Sequence, residues 1–166
     1  MDLRVSDSAS RGHFVPPEFE VPRFLSVGHL RFVVLGPELN AQDYAAWTSS
    51  IVHIRRAPGF RGRDWPRSMT IQDNLRDLVR HAQDFERRIG FTYSVIVGED
   101  VVGCVYIYPS SQAQGAIVRS WVREDKADLD QLVYRIVREW LESEWPFDHV
   151  EYDQRGWDWI QPFVSR

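Results

Sequence analysis

A strand signal that runs straight into a helix signal is one way a chain can hold an anion, and "AIVRSWVREDKADLDQLVYRIVREWL" (Ala116–Leu141) is such a place. The first backbone N–H groups of a helix lack internal partners, and the helix dipole adds positive potential there. Arg123 and Lys126 add to the attraction. The junction has no glycine, however, and it carries Glu124, Asp125, Asp128 and Asp130. Glycine lets a backbone approach a phosphate closely and adopt positive φ, which an aspartate does not supply easily. Like charges about 4 Å apart repel by about 1 kcal/mol in water and by several times that at lower effective dielectric. The same acids cap free N–H groups and interact well with the dipole, with no ligand needed. Anion seat and capped turn are both open to these residues, and the acids favour the turn.

Tyr106 and Tyr108 alternate with Val105 and Ile107 in "VVGCVYIYP", which sets both on one face of a strand, lining a cleft or covering a sheet layer. The segment "RAPGFRGRDWPRSM" supplies Arg61, Arg63 and Trp65, and His53 and Arg56 stand near its start. Such basic residues favour an acidic or phosphorylated small molecule where they line a site, whereas exposed arginines usually serve solvation. His81 is expected on a helix surface and His149 at the start of a strand. The histidines have no close metal-ligand spacing, so no metal is expected, and Cys104 in mid-strand reads as a small buried apolar residue. No Gly-x-Ser-x-Gly, P-loop or dinucleotide fingerprint is present, which removes those enzyme classes.

These residues have to be positioned by elements that the sequence marks in turn. Residues 1–22, with Pro16, Pro17 and Pro22, read as an extended lead-in outside the core. "HLRFVVLG" reads as a strand stopped by Gly36 and Pro37. A helix follows to about Arg56, with Asn40 and Asp43 as a capping pair and Tyr44, Trp47, Ile51 and Ile54 at helical spacing. After the long loop, Thr70 caps a second helix with Asp73 three residues on, and Leu75, Leu78, Val79, Ala82, Phe85 and Ile89 form its apolar stripe up to Gly90. "FTYSVIV" and "VVGCVYIYP" flank Gly98-Glu99-Asp100 as a hairpin, and "AIVRSWVR" continues a meander. The long helix after it has one apolar face, and "HVEYD" closes the order as a strand parallel to its predecessor in space. The predicted fold is α+β, an α/β sandwich with a mixed central sheet in the order β-α-α-β-β-β-α-β, in one domain spanning 23–166.

A chain of 166 residues with 43% apolar and 13% aromatic content can bury one core. A net charge of -4 and a pI of about 5.7 give no overall pull toward nucleic acid or anionic lipid. One cysteine excludes an intrachain disulfide, and no segment has the length of a signal core or a membrane span, so a cytoplasmic protein is expected.

The element order resembles the GNAT superfamily of acyl-CoA-dependent N-acyltransferases over about Leu30 to Tyr152. "DYAAWTSSIVHIR", "TIQDNLRDLVRHAQDF", "GFTYSVIV" and "SWVREDKADLD" are similar to small actinobacterial GNAT-like proteins of unestablished substrate. The resemblance implies an acyl-CoA-dependent N-acyltransferase with acetyl-CoA as donor and a small amine as acceptor. It implies that Trp121, Val122 and Arg123 pair through their backbone with the pantetheine arm, on a strand splayed from its neighbour. It further implies that Glu124, Asp125, Lys126, Ala127 and Asp128 lie under the pyrophosphate. Arg123 matches the first position of the family's signature there, while Lys126 and Asp128 stand where the pattern has small residues. By position, Tyr152 becomes the candidate acid for the leaving thiolate, with a half-buried strand tyrosine as the alternative. His53, Arg56, Trp65, Tyr106 and Tyr108 become the rim and lining of the acceptor site. The C-terminus is shorter than the family's, and its Trp157, Trp159, Ile160 and Phe163 would complete the core or pack on a second subunit as a homodimer. A diverged module that binds a ligand or protein without CoA chemistry is the alternative function.

Overall fold

The computed structural model describes residues 12–155. The aromatic tail residues Trp157, Trp159, Ile160 and Phe163 lie outside them. Strands β1 (Phe24–Val27), β2 (Leu30–Val34), β3 (Phe91–Val97), β4 (Asp100–Pro109), β5 (Gly115–Val122) and β6 (His149–Tyr152) form one sheet in sequential order. Every neighbouring pair is antiparallel except β5 and β6, which are parallel. Helices α1 (Asn40–Thr48), α2 (Ile51–Arg56) and α3 (Ile71–Glu86) connect β2 to β3, and α4 (Asp130–Glu144) connects β5 to β6. The predicted α+β order is therefore present, with β1 added at the edge. The tight turn between β1 and β2 has Gly28 at φ +59, the conformation a two-residue hairpin requires at its first central position.

Alternation along the strands divides the core between two faces. Val105 and Ile107 of β4 and Val118 and Val122 of β5 pack with Val133, Val137 and Trp140 of α4. Cys104 and Trp121 turn the other way, to Trp47, Ile54 and Leu78 of the first three helices. Tyr106 and Arg119 share that second face as a cross-strand pair.

Four local expectations are corrected. The lead-in does contribute to the core: Val15 is 1% exposed, and Phe14 stacks on Phe91 and Phe147 at 5.5 and 5.1 Å. Prolines keep this segment out of the sheet ladder, yet the apolar residues between them still gain by burial. The Arg88 side chain donates to the carbonyls of Pro16 and Phe19, and Tyr93 donates to that of Pro22, which fastens the segment. The single first helix is two, broken at Ser49–Ser50, and Asn40 and Asp43 bond to Asn74 of α3 instead of capping. The capping box of Thr70 and Asp73 is formed as expected. The stripe that α3 buries is rotated from the predicted one, however: Asn74, Leu78 and Phe85 are buried, while Leu75, Val79 and Ile89 are 39%, 38% and 48% exposed. Between β5 and α4, the acidic stretch Glu124–Leu129 is a kinked 3-10 segment, so α4 starts at Asp130, beyond the residues expected to open it.

Candidate active site

A cavity of about 470 Å³ opens on the face covered by the first three helices. Tyr106, Tyr108 and Arg119 form its floor, Asp43 of α1 and Asn74 and His81 of α3 form a wall, and the 57–70 loop supplies Arg63 and Trp65 at the rim. The loop is held by bonds to its carbonyls and to its start. Tyr44 donates to Met69 O at 2.7 Å, Arg55 to Pro66 O at 2.6 Å, and Arg61 to Arg56 O at 3.0 Å. Trp65 is thereby fixed against Phe60, Tyr106 and Trp121, with ring centroids 5.9, 6.3 and 6.2 Å apart.

His81 is the chemically most defined group here. Its Nδ1 lies 2.9 Å from Tyr108 Oη and 3.1 Å from Thr92 Oγ1, and Tyr108 donates to Asp84 Oδ2 at 2.8 Å. Because the phenol proton goes to the carboxylate, Nδ1 must carry a proton to bond Tyr108, so the neutral ring keeps its lone pair on Nε2. Nε2 has no hydrogen-bond partner among the described residues. Burial pushes this imidazole down to about 4, assisted by Arg80 and opposed by Asp77 and Asp84. Burial and the bond to Asp84 push the Tyr108 phenol up, so it stays a donor.

The α1 wall holds a second perturbed group. Asn74 donates to Asp43 Oδ2 at 3.0 Å and to Asn40 Oδ1 at 2.9 Å, and its own oxygen accepts from Trp47 Nε1 at 3.0 Å. Burial raises Asp43 to about 6 against the Asn74 bond, with Asp77 adding like charge.

The expected site residues divide accordingly. Trp65, Tyr106 and Tyr108 line the cavity together, and Tyr106 accepts from Trp121 Nε1 at 3.0 Å. His53 and Arg56 do not line it; His53 is half-buried near Glu124, lowered by burial against the pull of that acid. Tyr152 lies on the α4 face of the sheet, 6% exposed, bonded to Ser120 at 2.5 Å and pushed up by burial. It is not brought to the cavity. Sequence reasoning missed His81, Asp43 and Arg119. The signal for His81 was its spacing with Asn74, Leu78 and Phe85, one helical stripe in which two members are polar.

Strands β5 and β6 part after Val118 and Tyr152, while β5 continues to Val122 with β4 alone. Arg155 reaches into the opening: it donates to Ser120 O at 2.6 Å and to Pro58 O at 3.0 Å, and its Nε sits 3.0 Å from Asp130 Oδ2. Both ionic groups of that pair are buried, at 1% and 0% side-chain exposure, and burial still raises Asp130 to about 6 against the guanidinium. The adjoining turn is occupied in the same way. Ser50 Oγ accepts from Glu124 N at 2.8 Å, and Arg123 forms a two-pronged bond to Asp125 at 2.9 and 2.5 Å. Asp125 holds the Arg123 guanidinium up, and Arg123 holds that carboxylate down. The depression beside them, of about 680 Å³, sets Asp100, Glu124 and Asp125 against this one arginine. A coenzyme A pyrophosphate does not fit residues 123–128 as they stand: no glycine opens the backbone, the first N–H is used, and the guanidinium is neutralised. Lys126 and Ala127 are half-buried and Asp128 is exposed in the same 3-10 segment.

Among the described residues no group of three His, Cys, Asp or Glu is placed to hold a metal, and no helix is long and apolar enough to cross a membrane. No protein-family model matches the sequence, and no curated protein matches it. Solved structures do. A ribosomal-protein-S5-alanine acetyltransferase from Vibrio fischeri superposes with a TM-score of 0.56 at 10% identity, over 74% of this chain and 67% of that one. RimL, a ribosomal L7/L12 alpha-N-protein acetyltransferase in complex with coenzyme A, gives 0.54 at 11% identity, over 70% of this chain and 67% of that one. The microcin C7 self-immunity acetyltransferase MccE in complex with acetyl-CoA and AMP gives 0.53 at 13% identity, over 74% and 69%. A likeness of this size at such low identity is one of fold, and the chain has the fold of the GNAT acetyltransferases.

Proposed function

We propose that the protein is an N-acyltransferase of a small amine, with the cavity above Tyr106 and Tyr108 as the acceptor site. The observation that carries this reading is the neutral His81 ring, held by Tyr108 and Asp84 with Nε2 left to the cavity. An acyl thioester supplies the acyl group, and acetyl-CoA, present in the MccE structure of the same fold, is the donor to test first. His81 Nε2 accepts a hydrogen bond from the amine and takes the proton the nitrogen gives up. A base held down at about 4 is too weak to deprotonate an ordinary alkylammonium, so the cation gives its first proton to water and the free amine attacks the thioester carbonyl. His81 takes the second proton once the nitrogen, bonded to the acyl carbon, has become a strong acid, and returns it to the thiolate as the C–S bond breaks, leaving an amide and a free thiol. Asp43 on the adjoining wall favours the cationic nitrogen as it enters. Residues 123–128 receive no role in holding the donor.

Incubation of the protein with acetyl-CoA and a panel of small primary amines, followed by mass spectrometry, tests the proposal. An acetylated amine that disappears with His81→Gln is the expected result. Absence of any product at millimolar donor and acceptor, from folded protein, overturns it and leaves the reading of a binding module without CoA chemistry.

A further inference from the structure

We infer that Arg119 and Arg63 form an oxyanion seat at one end of the cavity, so that the amine accepted there carries a carboxylate or a phosphate. The inference rests on the acceptor reading of the cavity and adds the chemical class of the molecule. Arg119 is the cross-strand partner of Tyr106 on β5, and its side chain shares the cavity face with that tyrosine. The His81 ring on the α3 wall lies with its centroid 5.7 Å from that of Tyr106, so the cavity holds both an imidazole and a guanidinium beside this tyrosine. Residues directly opposite on paired strands have Cβ atoms about 5 Å apart, which places Arg119 within reach of a small molecule resting on Tyr106.

The charges of the cavity arginines differ in how they are spent. Arg67 pairs with Asp64 at 3.3 Å and Arg80 with Asp77 at 3.3 Å. The side chains of Arg63 and Arg119 have no ion pair or hydrogen bond among the described residues, although both residues line this cavity and the neighbouring one beside β6. Burial, with Arg63 as the next cause, holds the half-buried Arg119 down, while Asp153 and Glu151 pull it up. Two neighbouring guanidiniums at a cavity wall are unfavourable alone and favourable around an oxyanion, which both can bond at once.

The backbone is shaped to permit this. Gly59 sits at φ +88 against the Arg119 stem, where a Cβ would come within 3.3 Å of Cγ. Asp43 lines the cavity from α1, and Arg63 and Arg119 line it from the loop and β5, which suits a molecule that carries both an amine and an anion.

The test is binding without donor, by calorimetry, of three amines that differ only in charge: benzylamine, 4-(aminomethyl)benzoate and 4-(aminomethyl)phenyl phosphate. Wild-type protein is expected to prefer at least one anionic amine over benzylamine by tenfold or more, and the stronger arm identifies carboxylate or phosphate. Arg119→Gln, and separately Arg63→Gln on the exposed loop, should cut that preference to threefold or less while leaving benzylamine binding within twofold. Arg63→Gln keeps the test open if the β5 variant does not fold. Equal affinity for the three amines, or a preference that survives both substitutions, overturns the inference. An anionic preference without acyl transfer leaves the seat standing and removes the transferase reading; acetylation of benzylamine without charge preference does the reverse.

Discussion

At the scale of single residues, the site depends on groups whose burial decides their protonation. Asp43 has a folded value of about 6, above the ordinary 3.8, so its contribution to stability is fully present below pH 3.8 and is lost as pH rises through 6. Asp43→Asn is therefore expected to raise the melting temperature at pH 7.5, by the equivalent of roughly 1 to 3 kcal/mol, and to have little effect at pH 3.5. Thermal scans at the two pH values check this, and an equal effect at both would remove burial as its cause. His81 has the opposite sign. Its folded value of about 4 lies below the ordinary 6.5, so its contribution is present above pH 6.5 and fades as pH falls toward 4. Tyr106, Tyr108 and Trp65 were legible because strand alternation and loop composition mark them directly. His81 and Asp43 were not, since polarity argues for the surface unless the partners in three dimensions, here Tyr108 and Asn74, are known.

Among the elements, the strand and helix order was legible from β2 onward apart from the break between α1 and α2, because alternation and helical spacing are local properties of the chain. What escaped was set by contacts between elements. The α3 stripe is rotated because its Asn74 and His81 answer polar groups of α1 and β4. The break between α1 and α2 coincides with Ser50, whose hydroxyl, 2% exposed as a residue, caps Glu124 N across the sheet end. Ser50→Ala should cost about 1 to 2 kcal/mol, because it leaves a backbone donor unpaired in a partly buried site, and chemical denaturation measures it. Arg123 was expected to serve a ligand and instead closes on Asp125. An Arg123→Ala change is thus expected to alter stability by less than about 1 kcal/mol, since exposed pairs of this kind contribute little.

For the whole molecule, the opening between β5 and β6 is closed by one buried side chain. Arg155 joins the loop at Pro58, strand β5 at Ser120 and helix α4 at Asp130. Removing one member of a buried ion pair leaves the other uncompensated, so Arg155→Met alone should destabilise by about 3 to 5 kcal/mol. Arg155→Met combined with Asp130→Asn should cost clearly less than the sum of the two single changes, as measured by denaturation of the four proteins. Whether the cavity works as an acyl-acceptor site turns on the His81 ring. Its state can be observed by long-range proton–nitrogen NMR of the imidazole across pH 4 to 8. The account predicts a neutral ring above pH 5 with the proton on Nδ1, and a shift of the Nε2 resonance when an amine is added. Titration near 6.5, or a proton on Nε2, would contradict it.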